Sequence, residues 1–261
     1  MRWHVRTIVR RLLDRSTPWI EHAATGRLAG MRIMLPVGWD DVYVGHSYED
    51  DVTSALERLV HAGSTCVDAG AHFGYFTLLL ARLVGPKGRV VAFEVEHENA
   101  ELVRRNIRLN GLDPWVTVER LAVSDSSGPV ELFAARSGGS SEWTIDAEFA
   151  AREDAEPGTR RAAAIVRSVS LDEYFGRQET VDLIKMDIEG AEAKALPGMK
   201  RLLAEARPVI VLEFHREVGW PAIETLIACG YGFETLAGVR FESPKSVEEV
   251  PYHFVARPLP D

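Results

Sequence analysis

From residue 65 onward, short runs of apolar residues alternate with longer segments in which apolar residues recur every three or four positions. The first pattern predicts β-strands and the second predicts amphipathic helices. The predicted strands are residues 65–69, 89–93, 116–123, 130–134, 181–186 and 209–214. The predicted helices are residues 76–84, 97–109, 191–205 and 220–229. This alternation predicts an α/β fold with a mostly parallel central sheet and helices on both faces.

The C-terminal part of the pattern predicts an antiparallel hairpin formed by residues 233–236 and 252–256. Small and charged residues from 147 to 161 predict a loop or an exposed helical insertion. The chain shows no internal repeat and no linker rich in proline or serine. We therefore expect one domain over residues 51–261, preceded by an N-terminal extension over residues 1–50.

The first twenty residues contain basic positions among apolar ones with helical spacing. The basic residues are Arg2, Arg6, Arg10, Arg11 and Arg15. One interpretation is a solvated helix that packs one face on the domain. The other is a basic amphipathic helix that contacts an anionic inner membrane surface or a partner, such as a second copy in a homodimer. No stretch approaches the roughly 18 apolar residues of a transmembrane helix, so we expect no membrane span.

The composition narrows the class of protein. The 261 residues include 30 Lys and Arg against 39 Asp and Glu, a formal net charge of −9, and 46% are hydrophobic. This apolar content is typical of a soluble globular chain and excludes wholesale disorder. The acidic balance argues against a nucleic-acid partner, which requires a basic face. Two cysteines, Cys66 and Cys229, cannot form a disulfide framework, so we expect a reducing, cytoplasmic location.

The first strand of the alternating region leads into a turn with two glycines, residues 68–74. Gly70 and Gly74 allow the backbone to approach a ligand closely, and the N–H groups of the following helix face the same point. The second strand ends at Glu94, where a carboxylate can accept hydrogen bonds from both hydroxyls of a ribose. These features predict an adenosine-containing ligand at the carboxyl edge of the sheet.

The identity of that ligand depends on Asp68, which stands where a dinucleotide site usually has its first glycine. Its carboxylate would repel a pyrophosphate and attract an ammonium group. The charge therefore favours S-adenosyl-L-methionine over NAD. A tight turn without a ligand and an NAD-dependent oxidoreductase are the alternatives at this point.

From about Tyr48 to its end, the sequence resembles the FkbM family of S-adenosylmethionine-dependent O-methyltransferases. The resembling segments are residues 67–77, 93–94, 106–107, 109–111, 122–125, 170–172, 184–192 and 196–198. The most specific of them reads Ile184-Lys185-Met186-Asp187-Ile188-Glu189-Gly190-Ala191-Glu192. Two positions depart from the family pattern, because His72 stands where the family usually has asparagine and Val95 where it usually has proline.

The resemblance implies a Rossmann-like class I methyltransferase fold and S-adenosyl-L-methionine as the methyl donor. It also implies a set of donor-binding residues near the turn and at the following strand ends. These are Asp68, Gly70, His72, Gly74, Phe76, Thr77, Glu94, Val95, Asn99, Ala122 and Asp187. The family methylates hydroxyls, so we expect a hydroxyl of a saccharide or glycosylated metabolite as acceptor, either a small molecule or an oligosaccharide. A polyketide or other secondary metabolite is the alternative acceptor.

A sugar hydroxyl is a weak acid, so a base or a cation must help to remove its proton. The candidates follow the fourth and fifth strands of the α/β pattern, namely Asp187, Glu189, Glu213 and His215. His215 has the simplest chemistry for a general base, and Glu213, two residues away on the same side, would orient it. The alternatives are that Asp187 and Glu189 cap the next helix and that His215 is only a polar residue at a strand end. A divalent cation such as magnesium at Asp187 is also left open.

The acceptor side of the site is predicted from polar and aromatic residues outside the strands. His46, Tyr48 and Glu49 precede the first predicted strand and are expected to close over the site. Ser140, Ser141 and Trp143 lie in a loop, where the indole either stacks on a sugar ring or simply packs. Two further tryptophans, Trp39 and Trp220, are expected in the core. A binding module that keeps the fold without catalysis is the remaining alternative.

Overall fold

The computed structural model describes residues 19–39, 43–44, 48–134, 143–153, 162–177, 179–216 and 218–260. The predicted basic N-terminal helix, His46, Ser140 and Ser141 lie outside these residues. Within the described ranges, no helix has both the length and the apolar character needed to cross a membrane.

The strands and helices are numbered in chain order. The strands are β1 (Trp19–Ala23), β2 (Arg32–Pro36), β3 (Thr65–Ala69), β4 (Arg89–Phe93), β5 (Val116–Glu119), β6 (Ala122–Val123), β7 (Gly128–Ala134), β8 (Trp143–Thr144), β9 (Ala162–Val169), β10 (Leu183–Met186), β11 (Val209–Glu213), β12 (Tyr231–Glu234), β13 (Arg240–Phe241) and β14 (His253–Pro258). The helices are α1 (Asp50–Leu59), α2 (Tyr75–Val84), α3 (His97–Leu109), α4 (Ala147–Glu153), α5 (Leu171–Phe175), α6 (Glu192–Ala195) and α7 (Trp220–Ala228).

The central sheet contains eight strands in the order β13-β12-β14-β11-β10-β3-β4-β5. The strands from β11 to β5 are parallel to their neighbours, whereas β14 pairs antiparallel with both β11 and β12. The expected α/β architecture and the C-terminal antiparallel hairpin are thus confirmed. The strand order reverses between β3 and β10, which is where open parallel sheets of this kind place their ligands.

A smaller sheet of four strands, in the order β6-β9-β7-β8, lies beside the first. The prediction of one strand over residues 116–123 is wrong, because the chain leaves the central sheet after Glu119 and Ala122–Val123 pairs with β9 instead. The sequence did not predict β9, since its first half is alanine-rich and alanine is uncommon in strands. The expected insertion begins with a helix, α4, and residues 154–161 lie outside the described part.

The predicted helix over residues 191–205 is helical from residue 192 to 206 but irregular. After α6 the turn tightens over Leu196–Met199 and then widens over Leu202–Ala206. Pro197 explains the first change, because proline has no N–H to donate to the preceding turn. The segment still buries Leu196, Leu202 and Leu203 against the central sheet.

The β1–β2 hairpin belongs to the same hydrophobic core as the central domain. Ile33 and Leu35 of β2 are fully buried, and they pack in one cluster with Leu78 of α2 and Val103 of α3. The hairpin therefore covers one side of the α2 and α3 helices. Whether residues 1–50 behave as a separate unit stays a prediction.

Candidate active site

A cleft of about 1000 Å³, open to solvent, lies at the carboxyl ends of β3, β4 and β10. Three groups of residues contribute most of its wall: the turn after β3, the segment after β10, and Trp39, Tyr43 and Tyr48 before α1. The residues that line it and were predicted as site residues are Gly70, His72, Phe76, Glu94, Val95, Ala122, Asp187 and Glu189. The cleft is therefore placed where the sequence pattern expected a ligand.

The turn after β3 is held by backbone hydrogen bonds. The amides of Gly70 and Ala71 both donate to the Phe93 carbonyl at 3.0 Å, and the Gly74 amide donates to the Ala71 carbonyl at 2.8 Å. Gly70, His72 and Gly74 all have positive φ, at 84°, 52° and 88°. A β-carbon on Gly70 would overlap the Asp187 carbonyl oxygen. Glycine at residue 70 is therefore required by both conformation and space.

Glu94 forms the floor of the cleft beside this turn. One carboxyl oxygen accepts from the His72 amide at 2.7 Å and the other from the Glu96 amide at 2.8 Å. Burial raises the pKa of this carboxyl to about 8, although the hydrogen bonds from the two amides lower it. Each oxygen keeps further acceptor capacity, so two adjacent hydroxyls of a ligand would find two acceptors here.

Asp68 and Thr77 lie beneath the turn rather than on the cleft wall. Asp68 is fully buried and accepts a hydrogen bond from the Thr77 hydroxyl at 2.6 Å, while its other oxygen has no hydrogen-bond partner. Lys185 of β10 lies opposite Asp68 in the strand register. Burial raises the pKa of Asp68, and the Lys185 ammonium and Thr77 lower it. Asp68 thus forms part of a buried charged layer under the site. Gly74 and Asn99 also lie off the cleft wall.

Lys185 is the site residue that sequence reasoning missed. Its side chain is 5% exposed, it lines the cleft, and its ammonium lies 3.1 Å from the Asp187 carboxylate and 4.9 Å from the centre of the Phe76 ring. The available signal is a charged residue within Leu183–Met186, a strand that is otherwise apolar, because a lysine is rarely buried without a partner.

Asp187 has a pKa above the usual range of a carboxylate. Burial raises its pKa to about 6, although the nearby Lys185 ammonium lowers it, and the charges of Glu213 and Glu49 raise it further. Burial lowers the pKa of Lys185, but Asp187 and Asp68 raise it more, so this side chain stays protonated. Asp187 is therefore an ionised carboxylate at neutral pH that lies close enough to neutrality to accept a proton.

His215 lies behind Glu189, within a ring of carboxylates. Its Nε2 is 3.3 Å from Glu213 and 3.7 Å from Glu189, and its Nδ1 is 3.4 Å from Glu192 and 3.2 Å from the Gly190 amide. Burial lowers the pKa of His215, but Glu192 and Glu213 raise it more, to about 11. The Gly190 amide directs its N–H at Nδ1, so Nδ1 accepts a hydrogen bond in this geometry, and the ring proton that the carboxylates favour is placed on Nε2, toward Glu213 and Glu189.

Neither His215 nor Glu213 is among the residues that line the cleft, and Nε2 of His215 faces Glu213 and Glu189. The general-base role expected for His215 stays a prediction. The side chains of Glu213 and His215 lie close together, as expected. Glu213 also accepts from the Tyr252 hydroxyl and from His253 at 3.0 Å, and although burial raises its pKa, the hydrogen bonds from His215, His253 and Tyr252 lower it below its usual range.

The capping and metal alternatives can be compared with the same geometry. Ala191, the N-cap residue of α6, makes no side-chain hydrogen bond to the helix. The Asp187 carboxylate pairs with Lys185 instead. Over the described ranges of the chain, no group of three or more His, Cys, Asp or Glu side chains could hold a metal ion. The described residues thus do not support the divalent cation that the sequence left open at Asp187.

Aromatic side chains form part of the cleft wall. The members of this aromatic wall are Trp39, Tyr43, Tyr48 and Trp143. Trp39 and Trp220 are both half-buried and pack at the edge of the core as expected, and Trp39 also lines the cleft. The Tyr43 hydroxyl lies 3.1 Å from Nδ1 of His72, which burial keeps neutral by lowering its pKa to about 3. Tyr48 and Trp143 reach the cleft, as predicted for the acceptor side.

Comparison with known families gives a match over most of the chain. The family described as the Methyltransferase FkbM domain matches residues 68–234. Among curated proteins, "Methyltransferase sdnD" of Sordaria araneosa is 27% identical over 183 residues, which cover 62% of this chain and 70% of that protein. The catalytic subunit trmt61a of a tRNA (adenine(58)-N(1))-methyltransferase from Dictyostelium discoideum is 36% identical over 69 residues, 26% of this chain and 22% of that protein.

Solved structures of other methyltransferases also match this chain. A methyltransferase FkbM from Methylobacillus flagellatus KT is 20% identical with a TM-score of 0.48, covering 76% of this chain. The match spans 44% of the length of that protein. A SAM-dependent O-methyltransferase from Thermotoga maritima is 16% identical with a TM-score of 0.47, covering 83% of this chain and 67% of that one.

Proposed function

Because the chain belongs to the FkbM methyltransferase family and has the Rossmann-like class I methyltransferase fold, we propose that it methylates a hydroxyl of a saccharide or glycosylated metabolite. The proposed methyl donor is S-adenosyl-L-methionine, which supplies the methyl group on a sulfonium when it is bound. The observation that supports O-methylation most directly is the Asp187 carboxylate on the cleft wall, with its pKa raised to about 6.

The residues at the donor end fit an adenosine-type ligand with an amino-acid tail. Glu94 presents two carboxyl oxygens for the ribose hydroxyls, and the turn at Gly70 provides a surface without side chains. The N-terminus of α2, which begins at Tyr75, directs its N–H groups to the same place and favours a carboxylate. Val95 and Ala122 supply apolar surface at the adenine side.

Proton removal from the acceptor is assigned to Asp187. A carboxylate with a pKa near 6 is ionised at neutral pH and can take up the hydroxyl proton as the methyl group is transferred. Lys185 holds this carboxylate in place at 3.1 Å. Because the methyl group moves between two aligned atoms, alignment and exclusion of water supply much of the remaining acceleration.

The aromatic wall supports a saccharide acceptor. Aromatic faces stack on the apolar faces of sugar rings, and Glu189 can accept hydrogen bonds from ring hydroxyls. The same cleft also exposes Ile145 and Ile188, which favour the alternative acceptor, a less polar polyketide or other secondary metabolite. The carboxylates around the cleft are unfavourable for a nucleic-acid acceptor, as is the net charge of −9.

A labelled-donor panel tests the proposal. We would incubate the protein with methyl-labelled S-adenosyl-L-methionine and mono- and oligosaccharides, partly methylated sugars, polyketides and glycosylated polyketides, each with and without EDTA. Transfer to a sugar hydroxyl that survives EDTA is the expected result. Transfer only to a polyketide without sugar would support the alternative acceptor, and tighter binding of NAD than of S-adenosylhomocysteine would overturn the proposal.

A further inference from the structure

Asn106 of α3 and Asn110, which follows the last residue of α3, bind the backbone of strand β2 through their side chains. Asn110 accepts from the Arg32 amide at 2.8 Å and donates to the Arg32 carbonyl at 2.7 Å. Asn106 accepts from the Met34 amide at 2.6 Å and donates to the Met34 carbonyl at 3.1 Å. Each primary amide thus pairs with one strand residue in the way that a neighbouring strand would.

The spacing of the two elements makes this pairing possible. Residues four apart on a helix are separated by about 6 Å along the axis, and residues two apart on a strand by about 6.6 Å. Asn106 and Asn110 therefore match Arg32 and Met34 one to one. The pairing satisfies backbone groups of β2 on the side away from β1.

Asn106 and Asn110 each make one further contact. The Asn110 amide donates to the Asn106 carbonyl at 2.8 Å. The Asn106 amide donates to the Phe73 carbonyl at 2.9 Å, inside the turn after β3, and this side chain is fully buried. Phe73 follows His72, whose amide donates to Glu94 at 2.7 Å. One amide group therefore connects the β1–β2 hairpin with the turn that forms the donor end of the cleft.

The hairpin leads directly into the aromatic wall. Trp39, three residues after β2, packs edge-on against Phe73 with ring centres 5.0 Å apart, and the Tyr43 hydroxyl lies 3.1 Å from His72. The position of the hairpin thus determines where these aromatic side chains stand relative to the donor end.

We propose that Asn106 is a positioning residue that fixes the turn after β3 to the β1–β2 hairpin, so that donor binding also orders the aromatic wall of the acceptor. This inference rests on the proposed function for the identity of the donor. It concerns a residue that touches neither donor nor acceptor.

A matched pair of variants tests it, with S-adenosylhomocysteine as the probe. Asn106→Ala and Asn110→Ala each remove the pairing with β2, but only Asn106→Ala removes the bond to Phe73. We expect calorimetry to show about tenfold weaker binding in Asn106→Ala, equal to about 1.4 kcal/mol, and less than a twofold change in Asn110→Ala. Equal losses in the two variants, or none in either, would overturn the proposal.

Hydrogen exchange of the wild-type chain supplies a test that needs no variant to fold. S-adenosylhomocysteine should slow exchange of the amides of residues 32–35, and an unchanged rate there would contradict the proposed coupling. If the wild-type protein fails to bind the probe, the proposed function fails instead. The positioning role is then decided without ligand, because the amides of His72 and Gly74 should exchange faster in Asn106→Ala but not in Asn110→Ala.

Discussion

The two ends of the cleft are built in different ways. Most of the donor end comes from one continuous stretch, the turn after β3 with α2 and the end of β4, to which Ala122 of β6 is added, and its contacts are mostly backbone amides and carbonyls. The acceptor end is assembled from segments far apart in the chain, including Tyr48, Trp143, Asp187 and, behind them, His215 and His253. Its contacts join charged or aromatic side chains.

This difference predicts which changes each end tolerates. The donor end, which is built from backbone groups, should lose ligand binding when its conformation is disturbed, and its binding should respond little to changes of distant charges. The acceptor end, which is built from side chains, should keep its shape but lose methyl transfer when one charge is neutralised. Four substitutions test this difference between the donor end and the acceptor end.

The largest effect is expected for Gly70→Ala at the donor end. Its φ of 84° alone costs a β-carbon about 1–2 kcal/mol, and the new methyl group would also overlap the Asp187 carbonyl. We expect S-adenosylhomocysteine binding to disappear in calorimetry and the free energy of unfolding to fall by more than that cost.

Gly85→Ala is the matched control. Gly85 has a φ of 65° but no atom within 4 Å of an added β-carbon, so it isolates the conformational cost from the overlap. It should lower stability by about 1–2 kcal/mol and leave binding intact. Equal binding losses in both glycine variants would show that conformation alone explains the effect.

The next largest effect is expected for Asp187→Asn at the acceptor end. Loss of a general base lowers the rate of methyl transfer by about 10²–10⁴-fold, while binding of S-adenosylhomocysteine should change only a few-fold. In the wild-type protein, kcat/KM should rise with pH through about 6, where Asp187 ionises, and this rise should be absent from the variant. The exposed Asp113→Asn should keep the wild-type rate and profile, and an unaltered rate in Asp187→Asn would move the base elsewhere.

A smaller effect is expected for Glu94→Gln. Replacing one carboxyl oxygen by an amide should weaken S-adenosylhomocysteine binding by about tenfold, the equivalent of one charge-assisted hydrogen bond. Because burial raises the pKa of Glu94 to about 8, and hydroxyl donors favour its ionised form, binding at pH 7 should release protons and tighten as pH rises through 8. The buffer dependence of the binding enthalpy measures this release, and Glu96→Gln should retain it.

The effect expected for His215 concerns stability rather than ligand binding or reaction rate. A pKa raised from 6.5 to about 11 stabilises the folded protein fully below pH 6.5, and this stabilisation is lost as pH rises toward 11. Urea unfolding should therefore show a smaller decline in the free energy of unfolding between pH 6 and pH 9 in His215→Gln than in wild type. The exposed His61→Gln should keep the wild-type decline, and identical slopes in all three proteins would show that His215 is not protonated.

The same contrast explains what could be predicted from the sequence. The turn at Gly70, the acid at Glu94 and the order of strands and helices are local patterns, and the structure places them together as expected. The packing of Trp39 on the cleft and the carboxylates around His215 depend on residues that are distant in sequence. No local pattern specifies such contacts, and the charge state of His215 follows from Glu192 and Glu213 together.

The secondary structure shows the same limit in two places. Strand β9 was missed because Ala162–Val169 is a strand only through its pairing with β7 and β6. Lys185 was passed over because the strand around it is apolar, and its role appears only when Asp68 and Asp187 are placed beside it. The C-terminal hairpin was predictable, since β12 and β14 carry their own alternating pattern.

The insertion of β14 between β11 and β12 sets an order of events during synthesis. While residues 253–258 are still inside the ribosome, the edge of β11 has no partner on that side, and β12 cannot take its place in the central sheet. The nascent chain then exposes a row of unpaired N–H and C=O groups on an apolar strand, which is a template for aggregation. The donor end contains no residue of β14, whereas Glu213 obtains its contact with His253 only when β14 has joined the central sheet.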